Sequence, residues 1–173
     1  MAALRKFTGY RKLDKAYTRK SKYKKRNYIR SMPNHNIIRF EMGDKTKQFS
    51  HRVCLVSKGS LQIRHNAIES TRQIVNRALQ KNLGEDYYFQ INLFPHHGIR
   101  ENKLIGGSKA ERMATGMQQP FGKVITVAAQ VRRGKTILTT KVNKENVDKA
   151  KLAMRKCLPR LPGSYSFLIE ENK

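Results

Sequence analysis

The clearest structural signal in this chain is the stretch HNAIESTRQIVNRALQKNL, residues 65–83. Apolar and small side chains recur in it at steps of three and four residues, which is the spacing of one face of an α-helix. The members of this face are Ala67, Ile68, Thr71, Ile74, Val75, Ala78 and Leu79. Polar side chains such as Glu69 and Arg72 occupy the opposite face, and Gly84 gives the stop signal. The stretch therefore predicts one long amphipathic helix.

Short apolar segments on either side of this helix are typical of β-strands. Upstream, NIIRFEMG ends at Gly43, and HRVCLVS spans residues 51–57. Downstream, the aromatic-rich YYFQINLF spans residues 87–94. GKVITVAAQV and KTILTTKV, joined by a turn at Arg133 and Gly134, together predict a hairpin, and SYSFLIE predicts the last strand.

A second helix is expected after the predicted hairpin. Asn143 is a suitable N-cap, and Pro159 and Pro162 end the helical pattern. The inner face of this helix consists of Val147, Ala150, Met154, Cys157 and Leu158. Because strands and helices mix without a βαβ rhythm, the sequence predicts the α+β class: a single domain with a mixed, mainly antiparallel sheet and two principal helices.

Length and charge narrow the possible function classes. The chain has 173 residues, and its 37 Lys and Arg against 12 Asp and Glu give a formal charge of +25. No apolar run approaches the roughly 18 residues of a membrane span, and the start of the chain is too charged for a secretory signal. Cys54 and Cys157 lie far apart without a pairing motif, which favours an intracellular setting. A small, folded, very basic protein most often binds nucleic acid, so we expect a nucleic-acid partner and no membrane.

The charge is concentrated in an N-terminal segment, residues 1–31, which ends near the boundary MPNHN. Residues 1–30 hold 12 Lys and Arg and one acid, Asp14, with five interleaved aromatic residues and no apolar stripe that could dock on a core. We expect this segment to be disordered alone and to order on RNA, where cations neutralise phosphates and Tyr stacks on unpaired bases. A plain solubility tail is the alternative. Residues 32–173 are predicted to form the single α+β domain.

A long glycine-rich loop is predicted within that domain, at about residues 95–122. It contains five of the eleven glycines and has no sustained helical or strand period. Structureless loops longer than about 15 residues are uncommon in compact domains and are often functional. Its basic residues suit phosphate contact, so we expect a loop that orders against nucleic acid. An ordinary surface loop is the alternative.

Few residues suggest catalysis or metal binding. His51 and Cys54 stand three apart, but no second pair completes a zinc site. His65 and Glu69 are one helical turn apart, which suits a surface pair better than an acid–base dyad. The sequence therefore predicts no catalytic residues, no metal and no cofactor. Two alternatives stay open, an RNA-modifying enzyme and an architectural nucleic-acid-binding protein.

Several motifs, in the right order, resemble those of one family. They are YRKLDKAYTRKSKYKKRNYIRSMP at 10–33, IRFEMGD at 38–44, IRHNAIESTRQIVNRAL at 63–79 and FPHHGIRENKLIGGSKAERMATGMQQPFGK at 94–123. Over essentially its whole length, the chain resembles the universal large-subunit ribosomal protein family called sixteen in bacteria and ten-e in archaea, in its archaeal and eukaryotic form. It departs from the family pattern at Glu111 (usually Asp), Gln118 (usually Arg) and Val124 (usually Pro).

The resemblance implies a fold of hammerhead type and a function. It implies a structural constituent of the large ribosomal subunit, located in the cytoplasm with the ribosome, that is not an enzyme. The body is then expected to bind large-subunit rRNA near the A-site tRNA and the central protuberance, beside neighbouring large-subunit ribosomal proteins. The glycine-rich loop is expected to reach toward the peptidyl transferase centre and the P-site tRNA, and the protein to join the subunit late in assembly.

The resemblance also assigns expected roles to individual residues. The cations expected to neutralise rRNA phosphates from the N-terminal segment are Arg5, Lys6, Arg11, Lys12, Arg19, Lys20, Lys22, Lys24, Lys25 and Arg26. The tyrosines expected to stack on bases or contact sugars are Tyr10, Tyr17, Tyr23 and Tyr28. Further rRNA contacts are expected from Lys123, Arg132 and Arg133. The loop residues expected to face tRNA are Arg100, Asn102, Lys103, Lys109 and Arg112.

Overall fold

The structure, a computed structural model, describes residues 6–13, 29, 31–101 and 123–171. Within those residues the chain forms two α-helices and eight β-strands. The strands are β1 (Glu41–Gly43), β2 (His51–Ser57), β3 (Leu61–Arg64), β4 (Tyr88–Ile91), β5 (His97–Glu101), β6 (Lys123–Val131), β7 (Thr136–Val142) and β8 (Tyr165–Glu171). The helices are α1 (His65–Leu83) and α2 (Val147–Arg155). The predicted α+β class is therefore confirmed.

The strands of the described residues form two sheets, and every pairing in them is antiparallel. One sheet has five strands in the order β1-β4-β7-β2-β8, and the other has three in the order β3-β6-β5. His51, at the start of β2, lies opposite Val142 of β7 and Glu171 of β8. Ser57, at the end of β2, lies opposite Tyr165, where β8 begins. One end of the five-stranded sheet therefore holds the start of β2 together with the last residues of β7 and β8.

The hydrophobic core lies between the five-stranded sheet and the helices. Its fully buried side chains include Leu55 of β2, Phe89 of β4, Leu79 of α1 and Met154 of α2. α1 and α2 pack on each other, and α2 also packs on β2 and β7. Burial of a large apolar side chain contributes about 1.5–3 kcal/mol. This packed layer fixes the strand ends, and with them the turns that carry the charged side chains.

The prediction of α1 is confirmed at both ends, but the prediction that His65 and Glu69 form a surface pair is wrong. Both side chains are buried, with 7% and 8% of their surface exposed. The segment before β1 lies over them: the Asn36 N–H donates to Nδ1 of His65 (3.2 Å), and the Ile38 N–H donates to the Glu69 carboxylate (3.4 Å). Residues 36–38 have no regular secondary structure, so the periodicity of the α1 sequence could not reveal that they cover His65 and Glu69.

The predicted hairpin is wrong, because β6 and β7 belong to different sheets. Between the two strands, the Lys135 N–H closes a turn on the Arg132 carbonyl (3.2 Å). The Gly134 N–H then donates to the Ser57 carbonyl (2.8 Å), and the Ser57 N–H donates to the Lys135 carbonyl (3.1 Å). These bonds carry β7 onto β2 instead of back onto β6.

Several strand boundaries differ from the predicted ones. β1 and β4 are shorter than the apolar runs that predicted them, and β3 has no counterpart among the predictions. β5 occupies the first part of the predicted loop at 95–122, so the expectation of a structureless loop is wrong for residues 97–101. The sequence of this strand, HGIRE, contains Gly98 and has no alternation of β-branched and polar residues, so a search for strand periodicity does not detect it. The remainder of the loop, 102–122, lies outside the described residues.

The second predicted helix forms, but it starts later than expected. Asn143 precedes a 3₁₀ turn, Lys144–Asn146, and α2 follows that turn. Ala150 and Met154 of the predicted inner face are fully buried, and Cys157 is buried just beyond the helix. The last predicted strand is also present, as β8.

Candidate nucleic-acid interface

The described start of the N-terminal segment, residues 6–13, is hydrogen-bonded to the edge of the three-stranded sheet. The backbone N–H of Gln62 in β3 donates to the Arg11 carbonyl (2.9 Å). The side-chain amide of Gln62 donates to the carbonyls of Tyr10 (2.9 Å) and Lys12 (2.8 Å). Gln62 is 2% exposed, so these bonds are shielded from water. β3 is an edge strand, and this contact covers part of its open edge.

Aromatic and guanidinium groups stack beside this docked segment. The rings of Phe7 and Tyr10 are stacked with centroids 5.6 Å apart, and the Arg64 guanidinium lies 4.7 Å from the Phe7 centroid. A cation over an aromatic ring gains about 0.5–2 kcal/mol. Burial lowers the pKa of Arg64 from its ordinary value, although a guanidinium keeps its charge in proteins. The stack therefore holds a permanent cation at the start of α1, and one face of Tyr10 is occupied within the protein.

Two turns meet at one end of the five-stranded sheet. The turn after β2 and the turn after β6 are joined by the Ser57 backbone bonds and by the Arg133 N–H, which donates to the Ser60 hydroxyl (3.2 Å). The exposed cations on these turns are Lys58, Arg132, Arg133 and Lys135. No carboxylate of the described residues forms an ion pair with them. We call the surface formed by these four residues the basic end.

Acidic side chains collect at the opposite end of the same sheet, where β2 begins and β7 and β8 finish. The acids placed there are Asp44, Glu85, Asp86, Glu145, Asp148, Glu170 and Glu171. Two cations at this acidic end are paired: Lys47 with Asp86 (2.6 Å), and Arg52 with Glu170. The length of β2 separates the two ends by about 20 Å, which is more than twice the Debye length of about 8 Å at physiological salt. The acids therefore do little to repel an anion bound at the basic end.

Some of the predicted site residues come together in the structure. Arg11 and Lys12 lie along the edge of β3, and Arg132 and Arg133 lie beside the turn from which β3 starts. Lys6 lies in the described start of the segment and is exposed. The two groups are attached at Gln62 and Ser60, which are two residues apart, about 7 Å of extended chain.

Other predicted residues lie elsewhere. Lys123 starts β6 opposite Glu101, at the far end of that strand from Arg132 and about 26 Å from its last residue. Arg100 is close to Lys123, because it pairs with Val124 at the base of the loop. The predicted residues that lie outside the described part are Arg5, Tyr17, Arg19, Lys20, Lys22, Tyr23, Lys24, Lys25, Arg26, Tyr28, Asn102, Lys103, Lys109 and Arg112.

Several cations of the interface have no counterpart among the predicted site residues. Lys58 and Lys135 each flank a turn glycine, a sequence signal that could have marked them as exposed turn cations. Arg64 and Arg160 give no such signal. They lie almost a hundred positions apart in sequence and line one pocket because the 158–160 turn packs on α1.

Cysteine and metal-ligating side chains form no reactive cluster in the described part of the chain. No group of three His, Cys, Asp or Glu side chains there could hold a metal ion. Cys54 and Cys157 are free and buried, and burial raises the pKa of the Cys157 thiol to about 12. A thiol with that pKa is almost fully protonated at neutral pH and is a poor nucleophile. Among the described helices, none is long and apolar enough to cross a membrane.

Comparison with known proteins confirms the resemblance seen in the sequence. The profile of the family "Ribosomal protein L16p/L10e" matches residues 18–168. The large ribosomal subunit protein uL16 of Methanococcus aeolicus is 42% identical over 169 residues, which cover 96% of this chain and 94% of that protein. The uL16 of Methanococcus maripaludis is 37% identical over 173 residues, covering 99% and 96%, and that of Staphylothermus marinus is 40% identical over 141 residues, covering 81% of each. Because the matches cover most of this chain and most of each relative, the chain belongs to the ribosomal protein L16p/L10e family, a family without enzymatic activity.

Proposed function

We propose that this chain is a structural constituent of the large ribosomal subunit and that its basic end binds large-subunit rRNA. Its relatives are large-subunit proteins by name. The observation that carries the rRNA contact is the placement of charge: four exposed cations share one end of a sheet, and the acids of that sheet lie about 20 Å away. RNA phosphates supply the matching negative charge and fix the orientation of the protein. The protein then resides on the cytoplasmic ribosome.

The N-terminal segment, residues 1–31, is proposed to extend this rRNA contact, while residues 32–173 form the domain that anchors it. The hydrogen bonds of Gln62 support this division, since they tie the backbone at Tyr10, Arg11 and Lys12 to the body. An anchored start lets the cations of the segment act together with those of the basic end, so one stretch of rRNA can contact both.

The glycine-rich loop is proposed to reach toward the peptidyl transferase centre and the P-site tRNA, with the body near the A-site tRNA and the central protuberance. A close contact at the base of the loop supports a link between the loop and the rRNA-bound segment. A Cβ added to Gly98 of β5 would lie 2.9 Å from Cδ1 of Ile29 and 3.0 Å from Sδ of Met32. Ile29, near the end of the segment, contacts the strand that leads into the loop. Binding of the segment to rRNA would therefore also position the base of the loop. Joining the subunit late in assembly fits a protein that needs folded rRNA for this placement.

Neutralising the basic end tests the rRNA contact. A variant with Lys58, Arg132, Arg133 and Lys135 changed to Gln should still fold, because all four side chains are exposed. If two to four phosphate contacts are lost, the slope of log K against log salt should shrink by about 1.8–3.6, and affinity for large-subunit rRNA at 0.15 M salt should fall roughly 30- to 1,000-fold.

A matched control removes the same charge elsewhere. Its four substitutions to Gln are at the exposed residues Lys81, Lys144, Lys149 and Lys151. The control should keep most of the affinity and the salt slope. Equal losses in the two variants would show that net charge alone drives binding and would refute the assignment to the basic end.

Removal of the loop tests the tRNA-facing role. Deleting residues 102–116 leaves β5 and β6 intact, so the shortened chain should sediment with large subunits as the full chain does. Translation by those subunits should be slower. Loss of sedimentation with the subunit would contradict the division between an rRNA-binding body and a tRNA-facing loop.

A further inference from the structure

We propose that the pocket between the start of α1 and the 158–160 turn binds a phosphate group of the RNA backbone. This inference rests on the proposed function, because it takes the ligand to be the RNA that the chain binds. It adds a defined concave site to the exposed cations of the basic end, and it assigns roles to Arg64 and Arg160, for which the sequence predicts none.

The pocket has a volume of about 300 Å³ and opens to solvent. That is the lower end of the range for small-ligand pockets, about 300–1,000 Å³. Three arginines, Arg11, Arg64 and Arg160, line it together with Phe7 and Asn66. No Asp or Glu of the described residues is among its lining side chains. A small cavity lined by three arginines and by no described carboxylate suits an anion with several acceptor oxygens, such as a phosphodiester.

The start of α1 adds to the positive potential of this pocket. Asn66 and Ala67, in the first turn of the helix, line the cavity. The N-cap residue Arg64 makes no capping hydrogen bond with its side chain, and the first turn of α1 contains no acid. The N-terminal N–H groups of a 19-residue helix and its partial positive charge therefore add to the field of the arginines.

Two of the three pocket cations have their side chains held in place before any ligand arrives. Arg64 lies over the Phe7 ring, which is stacked on Tyr10. Arg160 donates a hydrogen bond to the Ser70 hydroxyl of α1. The bonds from Gln62 fix the backbone of the segment that carries Arg11. Because the guanidinium groups of Arg64 and Arg160 are already in contact with the protein, binding a phosphate would cost little of their side-chain entropy.

Arg64 lies where the docked segment meets the start of α1, with its guanidinium over the Phe7 ring. The binding site and the docking of the N-terminal segment are then coupled, since Phe7 and Arg11 line the pocket only when the segment is docked.

The first experiment uses the full-length chain and inorganic phosphate as the probe. In ¹H–¹⁵N NMR spectra, titration with phosphate at constant ionic strength should shift the amide signals of Asn66 and Ala67, while chloride should not. Absence of any phosphate-specific shift at these two amides would overturn the proposal. This measurement needs no RNA, so its result does not depend on the proposed function.

The second experiment asks whether the anion belongs to RNA. The variant Arg11→Gln/Arg160→Gln changes two exposed pocket residues, and Arg77→Gln/Arg155→Gln is its matched control, with two exposed arginines outside the pocket. For two lost phosphate contacts, the pocket variant should bind large-subunit rRNA roughly 30-fold more weakly at 0.15 M salt, with a salt slope smaller by about 1.8. The control should change affinity less than threefold.

The outcomes separate this proposal from the proposed function. If the wild-type chain binds large-subunit rRNA but the pocket variant binds it as tightly as the control, the RNA-phosphate site is refuted while the proposed function stands. A phosphate-dependent NMR shift together with unchanged rRNA affinity would mean a site for free phosphate and would equally refute the proposal. If the wild-type chain fails to bind rRNA at all, the proposed function fails first.

Discussion

Replacing Gln62 by Leu should release the start of the N-terminal segment from the body. The side-chain amide of Gln62 donates to the carbonyls of Tyr10 (2.9 Å) and Lys12 (2.8 Å), and Leu can donate to neither. Leu has a similar volume and is apolar, so it suits a side chain that is 2% exposed. The bond from the backbone N–H of residue 62 to the Arg11 carbonyl remains possible. The substitution thus removes two hydrogen bonds and leaves the sheet in place.

The size of the effect follows from those two bonds. Each intramolecular hydrogen bond contributes a net of about 0.5–1.5 kcal/mol, so their loss lowers the free energy of local detachment by about 1–3 kcal/mol. The fraction of molecules with a detached segment should then rise roughly 5- to 150-fold. The free energy of global unfolding should fall by no more than about 3 kcal/mol, since the core is unchanged.

Limited trypsin digestion of the folded protein measures this detachment. The carbonyls of the Arg11–Lys12 and Lys12–Leu13 peptide bonds both accept from Gln62, so trypsin can cleave these bonds only after detachment. When opening is fast, cleavage follows the open population, and mass spectrometry should show the same 5- to 150-fold increase at these bonds, as an order of magnitude.

A control substitution makes the trypsin result decisive. Gln90→Leu changes a half-buried glutamine in β4 and should leave cleavage at both bonds unchanged. Unchanged cleavage in Gln62→Leu, or an equal increase in both variants, would refute the conclusion that Gln62 holds the segment. Weaker rRNA binding of Gln62→Leu alone would further connect docking of the segment with function.

Three other residues carry predictions of their own. Gly43→Ala should lower the free energy of unfolding, measured by urea denaturation, by about 3 kcal/mol or more. Gly43 has φ 85°, and the added Cβ would lie 2.1 Å from the Tyr87 carbonyl oxygen. A loss below about 1 kcal/mol would contradict this contact. Burial, followed by the charge of Arg64, lowers the pKa of His65 below its ordinary 6.5, so stability should fall as pH drops below 6.5, and His65→Asn should flatten that fall. Burial raises the pKa of the Cys157 thiol to about 12, so a thiol reagent at pH 7 should modify it only as fast as the protein unfolds.

The elements that the sequence predicts correctly are those with a local signal. α1 shows its helical period over the whole length, and β2 and β8 coincide with short apolar runs. The predicted hairpin is wrong because the partner of a strand depends on residues that are distant in sequence. The backbone of Ser57 bonds to Gly134 and Lys135, and β7 continues from there along β2 and not along β6. Arg132 and Arg133 stand out as a basic pair in a turn, whereas Lys58 joins them only through sheet register.

The distribution of charge pairs favours one end of the five-stranded sheet for contact with an RNA phosphate. At the acidic end, Lys47 and Arg52 already lie beside carboxylates, so a phosphate would have to displace Asp86 or Glu170 to bind them. At the basic end no described carboxylate competes, and the distance of about 20 Å between the ends exceeds the Debye length. The attraction felt by an RNA phosphate is therefore set by the cations within one Debye length of it and hardly at all by the total of +25. Under the proposed function, the strand register, which sorts the charges to opposite ends, therefore sets how the protein is oriented on rRNA.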